Sequence, residues 1–99
     1  MEVKTEAELN AAIATGQVLV DFWATWCGPC QMMGQKIEYE LVPAMPSLRV
    51  VKVNVDEAPE LAAKFGIVSI PALFCFKNGE KAASYVGVTD TAEIKSVFA

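Results

Sequence analysis

The sequence predicts an α/β fold, a central mixed β-sheet flanked by helices on both faces. Three observations lead there. Val18 to Trp23 is apolar almost without alternation, as a strand covered on both faces is, and Arg49 to Val55 is rich in valine. Helical patterns with capping signals precede, separate and follow those two runs. After Pro71 the pattern changes to two short strands around Asn78-Gly79, and a final helix closes the chain. Strands alternating with helices, then a hairpin and a helix, are the signature of a layered sheet.

Each element has a local reason. Thr5 and Glu8 form a capping-box pattern, Leu9 and Ile13 repeat at helical spacing, and Gly16 suits the C-terminal cap. The strand Val18 to Trp23 comes next. A second helix is expected from Cys27 to about Leu41, stopped near Pro43 and Pro46. The valine-rich stretch Arg49 to Val55 is a second buried strand. Asp56 and Pro59 open a third helix with Leu61 and Phe65 on one face, and Gly66 ends it. Ala72 to Phe76 and Lys81 to Val86 make the hairpin strands. Asp90 and Glu93 cap the last helix, which turns Ile94, Val97 and Phe98 inward.

Ninety-nine residues are enough for one core, so residues 1–99 are expected to form a single domain. Apolar side chains make up 54% of the chain, which excludes disorder. Eight basic against 12 acidic residues give a net charge of −4, no footprint for nucleic acid or an anionic membrane. No run approaches the roughly 18 apolar residues of a membrane span. The start, Met1-Glu2-Val3-Lys4-Thr5-Glu6, has neither the basic region nor the apolar stretch of a signal peptide. Three cysteines, an odd number, speak for a reducing compartment. The expectation is a cytoplasmic globular protein.

The chemistry concentrates in Trp26-Cys27-Gly28-Pro29-Cys30, directly after the first buried strand. A disulfide across so short a span stabilises a fold by only about 2 kcal/mol, so redox chemistry explains it better than stapling. Attack on a disulfide needs a thiolate. Cys27 would sit at the first turn of its helix, where free N–H groups and the helix dipole favour an anion. Pro29 fits that turn because its missing N–H has no partner to lose. Gly28 leaves the approach to Cys27 open. Cys30, nearly one turn on, is expected to be more buried and to act second. The alternative is a metal site. With no histidine and only Cys75 besides this pair, a closed four-ligand site would need carboxylates, and no metal is expected.

Asp21 is the second signal. An acid inside a continuous apolar strand is desolvated and its pKa raised. It is either a buried base for Cys30 or a strand-end acid with its carboxylate in water. Lys52, central in the next strand, is the candidate partner tuning Asp21, with a solvated lysine as the alternative. Trp23 is assigned to the core, Cys75 to a buried inert thiol, and Met32 and Met33 to packing of the second helix.

These residues resemble the thioredoxin family over nearly the whole chain. The likeness rests on Asp21-Phe22-Trp23-Ala24, Trp26-Cys27-Gly28-Pro29-Cys30, Val51-Lys52-Val53-Asn54-Val55-Asp56, Ile70-Pro71, Phe76-Lys77-Asn78-Gly79 and Val86-Gly87, in this order. It implies the thioredoxin fold and a protein-disulfide reductase cycling between dithiol and disulfide. In that cycle Cys27 forms a mixed disulfide with a client, Cys30 resolves it, and Asp21 accepts the proton of Cys30. The resemblance also implies a cis bond at Ile70-Pro71, so that the backbone of Ile70 can pair with an extended substrate. Trp26, Gly28, Pro29, Val68, Ser69, Gly87 and Val88 would line an apolar patch around Cys27. The implied partners are thioredoxin reductase and clients such as reductases and peroxidases. No cofactor would be bound, electrons would come indirectly from NADPH, and the protein would act as a monomer.

The chain departs from the family in four places. Gln31 stands where a basic residue is common, Val68 where some members are basic, and Ala72 where threonine is commoner. Gly34-Gln35 replaces a proline that usually kinks the active-site helix, so no kink is implied here. Gly34 should reduce helix stability by about 1 kcal/mol without reducing activity. An oxidase or isomerase would more often carry histidine between the cysteines, and a glutaredoxin a different motif. A binding module with incidental thiols would survive mutation of Cys27 and Cys30.

Overall fold

The computed structural model describes residues 1–99. Its elements, in chain order, are α1 (Glu6–Ile13), β1 (Gln17–Trp23), α2 (Gly28–Lys36), β2 (Arg49–Asn54), α3 (Pro59–Lys64), β3 (Ala72–Lys77), β4 (Glu80–Val86) and α4 (Thr91–Val97). The four strands lie in the order β2-β1-β3-β4. β1 and β2 run parallel; β3 is antiparallel to both β1 and β4. The sheet is therefore mixed, with β1 central and both of its faces covered.

The alternation along β1 divides the core. Val18, Val20 and Phe22 face α1 and α3, joining Leu9, Ile13 and Leu61. On this side the rings of Phe22, Phe65 and Phe74 meet at centroid separations of 5.4 to 5.5 Å, the range of favourable aromatic pairs. Leu19 faces the other way, with Leu73 and Cys75 of β3, against Met33 and Ile37 from the second helical segment and Ile94 and Phe98 from the last. Asp21 follows Leu19 by two and shares its face. Its register partners are Lys52 on β2 and Leu73 on β3.

Local signals account for most element ends. Thr5 Oγ1 accepts from the Glu8 N–H while Glu8 accepts from the Thr5 N–H, a complete capping box for α1. Asn78 and Gly79 both have positive φ, 50° and 86°, the backbone of a tight hairpin turn between β3 and β4. Asp90 caps α4 by accepting from the Ala92 N–H, and Glu93 gives its backbone N–H to the Asp90 carbonyl. The first three residues add a short parallel contact to the β2 edge, Val3 N–H to Lys52 O at 3.0 Å and Lys52 N–H to Met1 O at 2.7 Å.

Two expectations are corrected. The second helix does not run uniformly to Leu41: it is α-helical to Lys36 and widens into a π-helical segment over Ile37–Leu41. Met33, Ile37 and Leu41 are all buried and spaced by four, a spacing that drifts around a helix of about 3.6 residues per turn. The wider turn, closed by Val42 N–H to Ile37 O, keeps Ile37 and Leu41 against the sheet. The third helix starts at Ala58 without a side-chain cap, and Asp56 is used elsewhere. No helix is long and apolar enough to cross a membrane.

Candidate active site

Cys27 stands at the N-cap of α2 in extended conformation, with Pro29 in the first turn. It is bonded to Cys30 in a disulfide, the two Cα atoms 5.2 Å apart. The Cys30 N–H donates to Cys27 Sγ at 3.1 Å, so one of the free amides of the helix start already points at this sulfur. The same amide and the helix dipole would stabilise a thiolate there once the bond is reduced. Cys27 is 5% and Cys30 4% exposed. Cys30 is thus the more buried of the two only by a small margin, and both residues sit in one small cluster with Ala24. No group of three or more His, Cys, Asp or Glu side chains is placed to hold a metal ion.

Around Cys27 the chain forms a shallow depression of about 430 Å³, lined by Trp26, Gly28, Pro29, Val68, Ser69 and Ile70 as well as Cys27. Its wall comes from the loop before β3, where the Ile70–Pro71 peptide bond is cis. The Ile70 carbonyl oxygen lies 3.9 Å from Cys27 Sγ. Gly28 and Pro29 are exposed, and no atom would crowd a Cβ on Gly28. Gly87 and Val88 stand outside the depression. Gly87, with φ at 88°, ties its loop to the site by donating its N–H to Pro71 O at 2.8 Å. The Thr89 N–H reaches Met33 Sδ at 3.3 Å, so this loop bridges Pro71 and the active-site helix.

Trp26 is 70% exposed, and its ring is positioned by Asp56, a residue expected at the start of the third helix. Its Nε1–H donates to Asp56 Oδ2 at 2.7 Å, and the Asp56 N–H in turn donates to Asn54 Oδ1. A carboxylate one residue past a buried strand was the available signal. Nothing local paired it with a tryptophan thirty positions earlier.

Asp21 is 1% exposed, and neither carboxylate oxygen has a hydrogen-bond partner. Burial pushes its pKa up to about 6; Lys52 pulls the other way and Glu2 reinforces the rise. The reading of Asp21 as a solvated strand-end acid is therefore excluded. Lys52 is half-buried, its ammonium 4.8 Å from the centre of the Trp23 ring. Trp23, expected in the core, is accordingly only half-buried. A cleft of about 190 Å³ lined by Asp21, Gly34, Glu38 and Lys52, among others, opens beside the carboxyl group. Cys75 is fully buried in β3, and burial raises its thiol to about 11.

A disulfide of two-residue spacing at a helix N-terminus, on a mixed sheet and beside a cis-proline loop, defines the class of thiol–disulfide exchange proteins. The comparisons with known proteins narrow it. The thioredoxin family model matches residues 1–99. Thioredoxin from Listeria monocytogenes is 40% identical over 94 residues, covering 95% of this chain and 91% of its own length. Probable thioredoxin-2 of Caenorhabditis elegans is 46% identical over 77 residues, 78% of this chain, and this match spans 53% of that protein. Among solved structures, mitochondrial thioredoxin 3 of Saccharomyces cerevisiae in its oxidised form superposes with a TM-score of 0.88 at 31% identity, covering 99% and 92% of the two chains. Plasmodium falciparum thioredoxin gives 0.84 at 33%, covering 98% and 95%. The chain belongs to the thioredoxin family.

Proposed function

We propose that residues 1–99 act as one domain and one monomer that reduces protein disulfides, with Cys27 as the attacking sulfur. The Cys27–Cys30 disulfide at the start of α2 carries this reading. In the reduced state the Cys27 thiolate attacks one sulfur of a client disulfide. A mixed disulfide forms and the other client sulfur leaves as a thiolate. Cys30 then gives its proton to the Asp21 carboxylate and attacks Cys27, releasing the second client sulfur and closing the disulfide. Two electrons pass to the client, and its two thiolates take up protons from water and from Asp21.

The burial and raised pKa of Asp21 support its role as the base, and Lys52 beside it keeps the carboxylate accessible near neutral pH. Ile70 and Pro71, with Trp26, Gly28, Pro29, Val68 and Ser69, form the surface a client strand would meet, flanked by Gly87 and Val88. Pairing through the Ile70 backbone would accept many sequences. Family membership supports thioredoxin reductase as electron donor, NADPH as the ultimate source, and reductases and peroxidases among the clients. It supports a cytoplasmic setting and no bound cofactor.

Two single variants test the order of attack. Cys30→Ser should accumulate a mixed disulfide with an oxidised protein client, trapped through Cys27 and released by dithiothreitol. Cys27→Ser should trap none. Equal trapping by both variants would overturn the assignment of Cys27 as the attacking residue.

A further inference from the structure

Beside the depression around Cys27 lies a second concavity that the reductase chemistry leaves unused. It is a groove of about 220 Å³ on the α1/α3 side of the sheet, between the loop before β3 and the outer strand β4. Ala72 and Phe74 form its floor, Ile67 and Val68 one wall, and Ser84 and Val86 the other. The register explains the shape: Phe74 pairs with Ser84 and Ala72 with Val86, so a small hydroxyl side chain stands beside the large, half-buried ring and leaves space next to it. Its lining residues are uncharged, and the one cation at its edge is the Lys81 ammonium, 5.6 Å from the centre of the Phe74 ring. The flanking valines are solvent-facing, Val68 94% and Val86 69% exposed. For comparison, a cavity of about 150 Å³ lined by apolar side chains binds benzene.

The groove is continuous with the site. Val68 and Ser69 line both it and the depression around Cys27. They precede Ile70, whose carbonyl lies 3.9 Å from Cys27 Sγ. A client strand passing Ile70 advances about 3.3 Å per residue, and because the two concavities share Val68 and Ser69, a residue a few positions from the attacked cysteine comes to lie at the groove.

We propose that this groove binds an apolar side chain, of leucine or phenylalanine size, two or three residues from the client cysteine that Cys27 attacks. The proposal rests on the disulfide-reductase reading and adds a preference to it. Main-chain pairing at Ile70 is indifferent to sequence; the groove rewards clients whose disulfide is flanked by an apolar residue. The occupant is a client segment because the groove shares its wall with the surface where the client must lie.

The test uses two disulfide-linked peptides that differ only in leucine or alanine at positions two and three from the reactive cysteine, on both sides. A small aromatic disulfide, too short to reach the groove, is the control. The wild-type protein should reduce the leucine peptide with a kcat/KM about tenfold above the alanine peptide. Ser84→Tyr, an exposed substitution that lays a ring over Phe74, should bring the two peptides within about twofold while leaving the small disulfide unaffected. Val86→Ser, which removes one apolar wall, should lower the preference in the same direction. Equal rates for both peptides with the wild-type protein overturn the groove, as does a preference that survives both variants. Sedimentation of Ser84→Tyr as a smaller species than the wild type would assign the groove to a second copy of this chain, and overturn the proposal as well. Failure to reduce even the small disulfide would instead sink the reductase reading.

Discussion

Burying Asp21 as a carboxylate weakens the fold at neutral pH. Its native pKa of about 6 lies above the ordinary value of 3.8, so between these the native state holds a proton that the unfolded chain has lost. The Asp21 contribution to stability is therefore greatest below about pH 4, falls as pH rises towards 6, and levels off above it. At about 1.4 kcal/mol per pH unit the full loss is on the order of 3 kcal/mol. Asp21→Asn should recover about 2–3 kcal/mol at pH 8 in urea unfolding, remove this pH dependence, and slow the resolving step. An unchanged stability would mean that the carboxylate is solvated. Cys75 makes the contrasting case. Its thiol is buried and raised to about 11, so the oxidised native protein should take up no iodoacetamide at pH 8, and one equivalent after denaturation. Labelling of the native state would contradict its placement in the core. Both residues announced themselves in the sequence by standing inside apolar strands. The orphaned oxygens of Asp21 did not, because they depend on what lies across the sheet.

At the scale of elements, legibility followed the range of the interaction. The α1 capping box, the Asn78-Gly79 turn and the Asp90 cap are made within four residues, and the sequence displays them. The π-helical segment Ile37–Leu41 is not of that kind: it arises from fitting three apolar residues spaced by four onto the sheet. The start of α3 misleads for a related reason, since Asp56 looks like a cap but is recruited by Trp26. Gly34 lies in the middle of α2, where glycine is less favourable than alanine by about 1 kcal/mol. A Cβ built there meets no atom within 4 Å. Gly34→Ala should therefore raise stability by about 0.5–1 kcal/mol and leave disulfide reduction unaltered. Thermal or urea unfolding beside a turnover assay checks both halves. A destabilised variant would show that the helix needs glycine here for its course over the cleft.

At the scale of the molecule, the site is assembled from segments that the chain order keeps apart: Asp21 to Cys30, Lys52 to Asp56, Val68 to Pro71, and Gly87 to Thr89. The dithiol was visible as a spacing, because two cysteines at one helix start need no partner from elsewhere. Val68, Ser69 and Ile70 could be placed beside it only through the family likeness, and Gly87 and Val88, placed there on the same grounds, stand outside the depression. What fixes their loop is a backbone hydrogen bond from Gly87 to Pro71 and one from the Thr89 N–H to the Met33 sulfur, both between segments far apart in the chain. The account as a whole makes this protein an electron donor to disulfides. The direct test is the reduction potential of the Cys27–Cys30 couple, from equilibration with a defined thiol/disulfide buffer at pH 7. A value at or below the cytosolic glutathione poise, roughly −220 to −320 mV, is expected of a reductant. A value of about −180 to −120 mV, in the range of disulfide isomerases and oxidants, would reverse the direction of electron flow and contradict the account.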